Sequence, residues 1–466
     1  MTSRLEHPLH EALGQIVGAE QLVSTPEVLA NYSQDKSPFP PLVPAIVVRP
    51  GSVNEVRDIM RLAGHHKTPV NTRGGGFSLT GYLGECVEDT IVLDLRRLNR
   101  VLDIDAVNFT ATAQCGIIMK DLSDQVEAAG LHVHTVGIPI GYTTLGGVLS
   151  GVQGGGYPAS MCVSGTGLYH LLGLEIVLPS GELLRTNAGG ANVHRSQDFT
   201  RGGNAPDLTS MFVGDGGCFG IKTEACVRIH PRPQEMAAGC FDFDDFDCLW
   251  AALLALTALP ELPYESIVIL ESRPWSLFYF ARGTQPTILD QTLSDIEAVL
   301  SNNGGRKSPP ALQEQALDVG AAEPAYQDLF VNVDRGLLAF VAGKKEFPSV
   351  FKQVRELLDR EIESRGLDEL GVGLMVYFSP MLRHSIYTTI SIIFDVDEPG
   401  SREAALDLQC RGYEKVVALG ACPEPHQGYS STVNASAWSP EFRQLMTGIK
   451  QMLDPERLLN RGLWGL

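Results

Sequence analysis

Short apolar runs separated by glycine and proline make up the first half of the chain. Residues 44–50 (PAIVVRP) and 69–72 (PVNT) are typical of strands, as are the runs TIVLDL, RVLDIDA and FTATAQCG that follow. Ser52 and Glu55 have the spacing of a capping box, which predicts a helix that continues to about residue 65. A second helix is predicted over 118–129, and a hairpin over 171–186 that turns at 179–181. The first half is therefore expected to be rich in strands.

The pattern changes after about residue 234. Helical periodicity over 286–302, 348–365 and 401–419 alternates with isolated strand-like runs such as SLFYFARG and YTTISIIFDV. This alternation predicts an α+β domain whose sheet is covered by helices. We place the domain boundary near residue 236, and we expect the last residues, 439–466, to form a helix with an extended end.

Composition and charge limit the possible partners. With 466 residues the chain is long enough for two domains, and 44% of it is apolar. A formal net charge of −19 without a basic cluster disfavours nucleic acid. No apolar run reaches the roughly 18–20 residues of a membrane span. The nine cysteines include no C-x-x-C pair, which is typical of reduced thiols and favours a cytoplasmic protein.

Glycine is concentrated in three places next to predicted strands: 74–76, 137–156 and 214–217. Glycine allows positive φ and lets another molecule approach the backbone closely. Successive N–H groups exposed in such loops form a nest for anions, and a pyrophosphate fits it. The pattern is neither G-x-G-x-x-G opening a helix nor a phosphate-binding G-x-x-x-x-G-K-[ST] loop, so a nicotinamide dehydrogenase and an NTPase are both disfavoured.

The segments PAIVVRPGSVNEVRDIMRLA, PVNTRGGGFSLTG and GDGGCFGIKTEACVRIHPRP resemble the FAD-binding domain of the vanillyl-alcohol oxidase superfamily, the PCMH-type FAD flavoproteins. The closing LDPERLLNRG is similar to the C-terminal motif of that family. The resemblance implies an α+β fold: an FAD-binding domain of two α+β subdomains over 1–235 (core 40–235), and an α+β cap domain with an antiparallel sheet covered by helices over 236–438. Residues 439–466 would return to the FAD domain.

The resemblance also implies which residues bind FAD. The loop at 74–78 would bind the pyrophosphate, 143–150 would lie along the flavin, 216–221 would meet the adenosine side, and the C-terminal pair would lie near the flavin ring. The full predicted set is Arg73, Gly74, Gly75, Gly76, Phe77, Ser78, Thr80, Gly81, Pro139, Thr143, Thr144, Gly146, Gly147, Ser150, Gly155, Gly156, Gly216, Gly220, Ile221, Asn460 and Arg461.

Phe77 stands where many members of the family carry the histidine that attaches FAD covalently. Phenylalanine has no nucleophile, so we expect noncovalent FAD, with linkage through a residue outside this loop left open. Arg461 replaces the family's proline, and a cation there would stabilise an anionic reduced flavin.

The substrate is less well defined by the resemblance. The first half is most similar to the D-lactate and glycolate oxidase group, but the H-x-G-D-G-N-x-H metal motif of that group is absent from the sequence, so no metal is predicted. The second half is more similar to the vanillyl-alcohol and 4-cresol group. Candidate catalytic residues are Tyr429, His384, Arg383, His426 and Tyr157, and further candidates for binding a carboxylate are Arg273, Arg282 and Arg335.

These observations favour an FAD-dependent oxidoreductase that takes a hydride from a small alcohol, either a hydroxy acid or an aryl alcohol, to flavin N5. A para-substituted phenol oxidase and a flavin-poor structural subunit are the alternatives. Oxygen or another acceptor would take the electrons, and a homodimer or larger oligomer is expected.

Overall fold

The computed structural model describes residues 7–33, 35–40, 42–78, 89–133, 140–151, 170–186, 201, 206–232, 234–259, 266–271, 274–283, 285–321, 334–423 and 429–466. At 7, 8, 266, 317–321 and 429 this description is limited to the backbone. Helices and strands are mixed throughout, and the predicted α+β class is confirmed. In this part of the chain no helix combines the length and the apolar character that crossing a membrane requires.

The first subdomain packs helices on a four-stranded sheet of order β1-β2-β4-β3, in which β2 and β3 run parallel to β4. Its elements are α1 (His7–Val17), β1 (Leu22–Val23), α2 (Pro26–Ala30), β2 (Ile46–Val48), α3 (Val53–His66), β3 (Val70–Arg73) and β4 (Ile91–Asp94). The predicted capping box starts α3: the Ser52 hydroxyl accepts from the Glu55 N–H, and the Glu55 carboxylate accepts from the Gly51 N–H. One face of α3 is then buried on the sheet.

The second subdomain is built on an antiparallel sheet of order β5-β6-β10-β8-β9. Its elements are β5 (Val101–Asp105), β6 (Thr110–Gln114), α4 (Met119–Ala128), β7 (Leu131–His132), α5 (Leu145–Ser150), β8 (Leu171–Val177), β9 (Leu183–Arg185), β10 (Ile221–Arg228) and β11 (His230–Pro231). The predicted hairpin is the pair β8–β9, with Gly181 at φ 80° in its turn. β7 and β11 pair separately.

The cap domain carries an eight-stranded sheet of order β15-β12-β14-β13-β17-β18-β16-β19. Its elements are β12 (Glu235–Phe243), α6 (Phe246–Ala258), β13 (Ser266–Leu270), β14 (Trp275–Gly283), α7 (Pro286–Asn302), β15 (Arg306–Lys307), α8 (Pro310–Ala321), β16 (Arg335–Gly343), α9 (Phe347–Arg365), β17 (Gly373–Met381), β18 (Ser385–Ile393), α10 (Ser401–Ala418) and β19 (Cys422–Pro423).

The two faces of the cap sheet have different neighbours. One face, here called the helix face, packs on α6, α7, α9 and α10 around residues such as Phe340, Phe378 and Ile390. The opposite face is called the inner face. Helix α8, which the sequence pattern did not predict, covers the β12–β14 part of the inner face through Leu312 and Ala316. The inner face of β16, β17 and β18 is also buried, with Leu337, Ala339 and Tyr387 forming a small apolar cluster on it.

The end of the chain returns to the first subdomain. Helix α11 (Tyr429–Ser436) is followed by α12 (Pro440–Leu453), and the backbone then runs beside β3. The Val70 N–H donates to the Leu458 carbonyl, and the Asn460 N–H donates to the Val70 carbonyl. Lys450, buried at the end of α12, bonds Asp454 and the carbonyls of Cys218 and Leu459. The last residues of the chain therefore pack beside β3 of the first subdomain.

Candidate functional site

The loop after β3 lies so close to the segment before α5 that it has no room for side chains. A Cβ on Gly74 would be 2.1 Å from the Thr144 hydroxyl, and a Cβ on Gly75 would be 1.7 Å from the Tyr142 carbonyl oxygen. Gly76 has φ 72°, and a Cβ there would meet the Arg73 guanidinium. Two of the predicted glycine clusters therefore meet backbone to backbone, which explains why the loop consists of glycine.

The N–H groups of this loop are available to a ligand. Those of Gly74, Gly75, Gly76 and Phe77 have no acceptor in the described part of the chain, and all four residues are partly exposed. Consecutive unpaired N–H groups at the end of a strand form an anion-binding nest. The pyrophosphate of FAD fits this arrangement, because it needs several donors and tolerates no side-chain bulk.

A cluster of cations lies behind the loop. The Arg73 guanidinium is 5.2 Å from the Tyr32 ring centroid, and Arg49 and Arg96 both donate to the Tyr32 hydroxyl, which in turn donates to Asp94. Burial alone would raise the pKa of the Asp94 carboxyl, but the hydrogen bond and charge of Arg96, with the Tyr32 hydroxyl, lower it. In the part of the chain that the structure describes, three arginines thus surround Tyr32 and Asp94, and the Arg73 guanidinium lies beside Gly76 of the loop. Among Tyr32, Asp94 and the three arginines, Arg73 was the one candidate from the sequence.

The start of α5 is shaped by packing. The Thr144 hydroxyl caps the helix by accepting from the Gly147 N–H at 3.2 Å. The Gly146 N–H donates to the Cys115 carbonyl at 2.7 Å, and a Cβ on Gly146 would be 3.0 Å from Cys115. These two N–H groups thus have protein acceptors. The predicted flavin contacts of Thr143 and Ser150 stay predictions.

The third glycine cluster is a turn held by a buried ion pair. Gly214, Gly216 and Gly217 all have positive φ. Between them, Asp215 accepts from the Gly217 N–H and lies 2.6 Å from the Lys222 ammonium, with both side chains about 2% exposed or less. Lys222 also donates to the Ser150 hydroxyl at 3.0 Å. The pair therefore fixes the turn to the end of α5, and sequence reasoning missed it, although a lysine inside an apolar strand was a visible signal.

Packing also explains the next two predicted residues. A Cβ on Gly220 would be 2.4 Å from Ile176, so this glycine lets β10 approach β8 closely. Ile221 follows as the first residue of β10 and is buried. Their predicted contact with the adenosine side stays a prediction.

Asn460 joins two of the loops. Its side-chain amide donates to the Gly216 carbonyl at 2.8 Å and to the Thr72 hydroxyl at 3.1 Å, and its oxygen accepts from the Thr72 N–H at 2.9 Å. Its φ of 44° is in the left-handed region, which asparagine tolerates better than most residues. The Arg461 side chain turns back to the Arg457 carbonyl. The structure thus brings Gly74–Phe77, Thr144, Gly216 and Asn460 into one cradle.

Phe77 lies beside an exposed aromatic residue at the edge of this cradle. Its ring centroid is 6.0 Å from that of Tyr142, with the planes tilted by 33°. Because the side chain of Phe77 is a hydrocarbon without a nucleophilic atom, it cannot form a covalent bond to the flavin.

Arg383 and His384 lie in the exposed turn between β17 and β18. Arg383 donates to the carbonyls of Thr257 (3.1 Å) and Leu259 (2.5 Å), which are the last carbonyls of α6. A cation at a helix C-terminus is a common stabilising arrangement, so Arg383 has a structural explanation.

For several predicted residues the structure does not describe the side chain. Tyr429 is the first residue of α11, and only its backbone is described. Those that lie outside the described residues are Thr80, Gly81, Pro139, Gly155, Gly156, Tyr157, Arg273 and His426.

The inner face of the cap is turned toward the FAD domain. Arg282, an inner-face residue at the end of β14, donates to His132 Nε2 of β7 at 2.6 Å. Burial first, and then the charge of Arg282, lower the pKa of His132 to about 3. His132 is therefore neutral at physiological pH, with its Nε2 serving as the acceptor.

The inner face carries polar side chains that sequence reasoning did not assemble. They come from alternate positions of β16, β17 and β18, and they are Arg335, Tyr377, Ser379, Ser385, Tyr387, Thr389 and Ser391. Of these, Arg335 alone was a candidate from the sequence. The signal was the period of two along each strand, but strand pairing was needed to bring the residues together.

Comparisons with known proteins identify the first domain. Residues 44–187 match the family described as FAD binding domain. An uncharacterized FAD-linked oxidoreductase of Mycobacterium tuberculosis is 28% identical over 292 residues, 61% of this chain and 59% of that protein. The glycolate oxidase subunit GlcD of Bacillus subtilis is 32% identical over 225 residues, 48% and 45% of the two chains. The match thus spans about half to three fifths of these relatives.

One relative is similar along nearly its whole length. The D-2-hydroxyglutarate dehydrogenase of Xanthomonas citri pv. viticola is 29% identical over 475 residues, covering 97% of this chain and 95% of that protein. This similarity includes the cap domain.

Solved structures share the fold. A 4-ethylphenol oxidase from Gulosibacter chungangensis has a TM-score of 0.82 at 19% identity, and p-cresol methylhydroxylase with substrate bound has 0.83 at 18%. Each comparison covers 98% of this chain and 96% of the other. At such identities the likeness concerns the fold alone.

Proposed function

We propose that the chain is a PCMH-type FAD flavoprotein, an FAD-dependent oxidoreductase whose substrate is a small 2-hydroxy acid. The observation that carries the cofactor assignment is the nest of four consecutive N–H groups at Gly74–Phe77, with the Arg73 guanidinium beside it. The substrate class is supported by the relative that is similar over nearly the full chain, a D-2-hydroxyglutarate dehydrogenase.

The residues of the cradle would hold FAD from several sides. The N–H groups of Gly74–Phe77 would bind the pyrophosphate, and the Arg73 guanidinium beside Gly76 would add positive charge close to it. Asn460 keeps the first and third glycine loops at a fixed spacing.

When bound, FAD supplies a hydride acceptor at N5. The protein must remove the proton of the substrate hydroxyl as the hydride leaves the carbon, so that the product is a 2-oxo acid. We keep Tyr429, His426 and Tyr157 as candidates for that base. We leave out Arg383 and His384, because the arginine is bound to the end of α6 and the histidine is exposed beside it. Oxygen or another acceptor then takes the electrons.

The first test is spectroscopic. The purified protein should be yellow, and acid precipitation should leave the flavin in the supernatant if FAD is noncovalent. Flavin in the pellet would mean that a residue other than Phe77 is linked to it. A protein that remains colourless after incubation with FAD would overturn the enzyme proposal and favour a structural subunit.

The second test is anaerobic reduction. Glycolate, D-lactate or D-2-hydroxyglutarate should bleach the flavin absorbance in the loaded protein. Bleaching by 4-alkylphenols, with no reaction of the hydroxy acids, would replace the proposal with the phenol oxidase alternative.

A further inference from the structure

An aromatic residue is exposed next to the first glycine loop. Tyr142 precedes α5, and its carbonyl oxygen is the atom that a Cβ on Gly75 would meet at 1.7 Å. The residue is 49% exposed, although its backbone is in contact with the loop. A single exposed aromatic side chain is common on protein surfaces and by itself needs no ligand. This one differs because it lies beside N–H groups that the described structure leaves available to an anion.

The backbone on both sides of Tyr142 is fixed by hydrogen bonds. The Ile140 carbonyl accepts from the Lys120 N–H at 3.1 Å, and the Thr143 carbonyl accepts from the Met119 N–H at 2.9 Å. Both donors belong to the start of α4, a helix with one face buried in the core of the second subdomain. The tyrosine is therefore held at the edge of the cradle by the core of that subdomain.

A second aromatic ring extends the apolar surface at this edge. The Phe77 ring centroid is 6.0 Å from that of Tyr142, and Phe77 is partly exposed as well. In the described part of the chain the Phe77 N–H has no acceptor, like those of Gly74–Gly76. Donors for an anion thus lie directly beside two aromatic rings. Inorganic phosphate would use the donors alone, whereas an anionic ligand that carries an aromatic ring would use both.

FAD has two ring systems, adenine and isoalloxazine, joined through the pyrophosphate. The segment 143–150, which the family resemblance places along the flavin, begins at the residue after Tyr142. The tyrosine also contacts Gly75 in the loop proposed for the pyrophosphate. Its position therefore adjoins both the pyrophosphate and the predicted flavin side, which favours the isoalloxazine over the adenine.

We propose that Tyr142, supported by Phe77, stacks on the isoalloxazine ring of FAD. This inference rests on the proposed function, because it adds a contact to the cofactor that is assigned there. Stacked aromatic rings combine burial of apolar surface with favourable ring electrostatics. The contact would add side-chain recognition of the flavin to a cradle that is otherwise made of backbone.

The first test measures FAD affinity by titration of the full-length apoprotein. Tyr142→Ala should weaken binding by about tenfold, the effect typical of losing one stacked ring. Tyr142→Phe keeps a ring of nearly the same shape and should bind within about twofold of wild type. Phe109→Ala is the matched control, because that aromatic residue is 41% exposed in the turn between β5 and β6. It should leave FAD affinity unchanged.

The fluorescence of bound flavin supplies a readout that a purely structural role would not move. A tyrosine in contact with an excited flavin quenches its emission, because the phenol gives the flavin one electron and takes it back as the pair returns to the ground state. Phenylalanine is too difficult to oxidise to act in this way. Bound FAD should therefore be weakly fluorescent in wild type and several times brighter in Tyr142→Phe, with affinity nearly unchanged.

Two results would overturn the proposed stack. Equal affinity and equal fluorescence in wild type, Tyr142→Ala and Tyr142→Phe would show that the tyrosine does not touch the cofactor. Weaker binding in Tyr142→Ala, with no change of fluorescence in Tyr142→Phe, would place the tyrosine on the adenine and reject its assignment to the isoalloxazine.

These results are distinguishable from failure of the proposed function. Wild-type protein that binds FAD as tightly as Tyr142→Ala would reject the stack and keep the cofactor assignment. Wild-type protein that binds no FAD would reject the cofactor assignment and the stack together. Hydroxy acids that fail to reduce the flavin would reject the proposed substrate alone, because affinity and fluorescence are measured without substrate.

Discussion

The two halves of the proposed site use different parts of the polypeptide. The FAD cradle is made almost entirely of backbone: glycines that approach other backbone closely, unpaired N–H groups, and Asn460 holding two loops together. The inner face of the cap is made of side chains, Ser379, Thr389 and Ser391 among them, projecting from a regular sheet. A cofactor that stays the same can be held by backbone, whereas the substrate side can change by single side-chain replacements without altering the fold.

The largest effect is expected at Gly75. In Gly75→Ala the new Cβ would be 1.7 Å from the Tyr142 carbonyl oxygen, so the loop must move and its N–H groups lose their alignment. Losing two charge-assisted hydrogen bonds should weaken FAD binding by about 100-fold or more, measured by flavin titration of the apoprotein.

Gly141→Ala is the matched control for Gly75, because no atom lies within 4 Å of a Cβ at that neighbouring glycine. Equal FAD affinity in the two variants would mean that the cradle does not depend on close backbone approach.

The second effect concerns the buried ion pair behind the cradle. Lys222→Met leaves Asp215 as an uncompensated charge that is about 1% exposed, and such a loss costs about 3–5 kcal/mol of unfolding free energy. Chemical denaturation should show it, with weaker FAD retention. Lys120→Met, which removes the exposed pair with Asp124, should cost less than about 0.5 kcal/mol. Similar small losses in both variants would contradict the tight burial of Lys222.

The third effect tests the contact between Arg282 of the cap domain and His132 of the FAD domain. The folded-state pKa of His132, about 3, lies below its usual value, so between about pH 6.5 and 3 the unfolded chain binds a proton that the folded chain excludes. Stability is therefore complete above pH 6.5 and falls as the pH decreases through this window. The cationic and titratable neighbours that oppose protonation are Arg282, His230, Arg232 and His170.

The comparison of wild type with His132→Gln isolates this contribution. Glutamine can still accept from Arg282 but does not titrate, so unfolding free energy measured from pH 7 to 4 should fall less steeply in the variant. The difference in slope is at most about 1.4 kcal/mol per pH unit, the value for one proton. Parallel curves would show that His132 is not excluded from protonation by the cap.

The smallest effect is expected at Arg383. Removing its bonds to the end of α6 in Arg383→Ala should cost about 1 kcal/mol of unfolding free energy and leave the rate of flavin reduction unchanged. His384→Ala, an exposed side chain beside it, should change neither. A tenfold slower reduction in either variant would return that residue to the catalytic candidates.

The sequence was informative where the determinants are contiguous. The α3 capping box, the hairpin at Gly181 and the FAD-binding domain were all predicted and are confirmed, because each depends on residues close together in the chain. The glycine loops predicted a pyrophosphate site for the same reason, and the family resemblance of the segments that contain them implied FAD. Whether FAD is noncovalent, which residues touch it and where the domain boundaries lie stay predictions.

The sequence was less informative where the determinants are brought together by pairing. Lys222 meets Asp215 and Ser150 from three different elements, and Arg49, Arg73 and Arg96 converge on Tyr32 across three strand ends. The inner-face side chains of β17 and β18 become neighbours only through the register of the two strands, and helix α8 covers part of the inner face only because of tertiary packing. The separation of these residues along the sequence does not indicate which of them lie close together in the folded protein.

The link from Asn460 to Thr72 has a consequence for synthesis of the protein. The two residues are 388 positions apart, and a ribosome adding about 5–20 residues per second needs roughly 20–80 s to travel from one to the other. During that interval the first glycine loop has left the ribosome without the asparagine that fixes its distance from the third. FAD would therefore be acquired at the end of translation, and nascent chains stalled before residue 460 should retain little flavin.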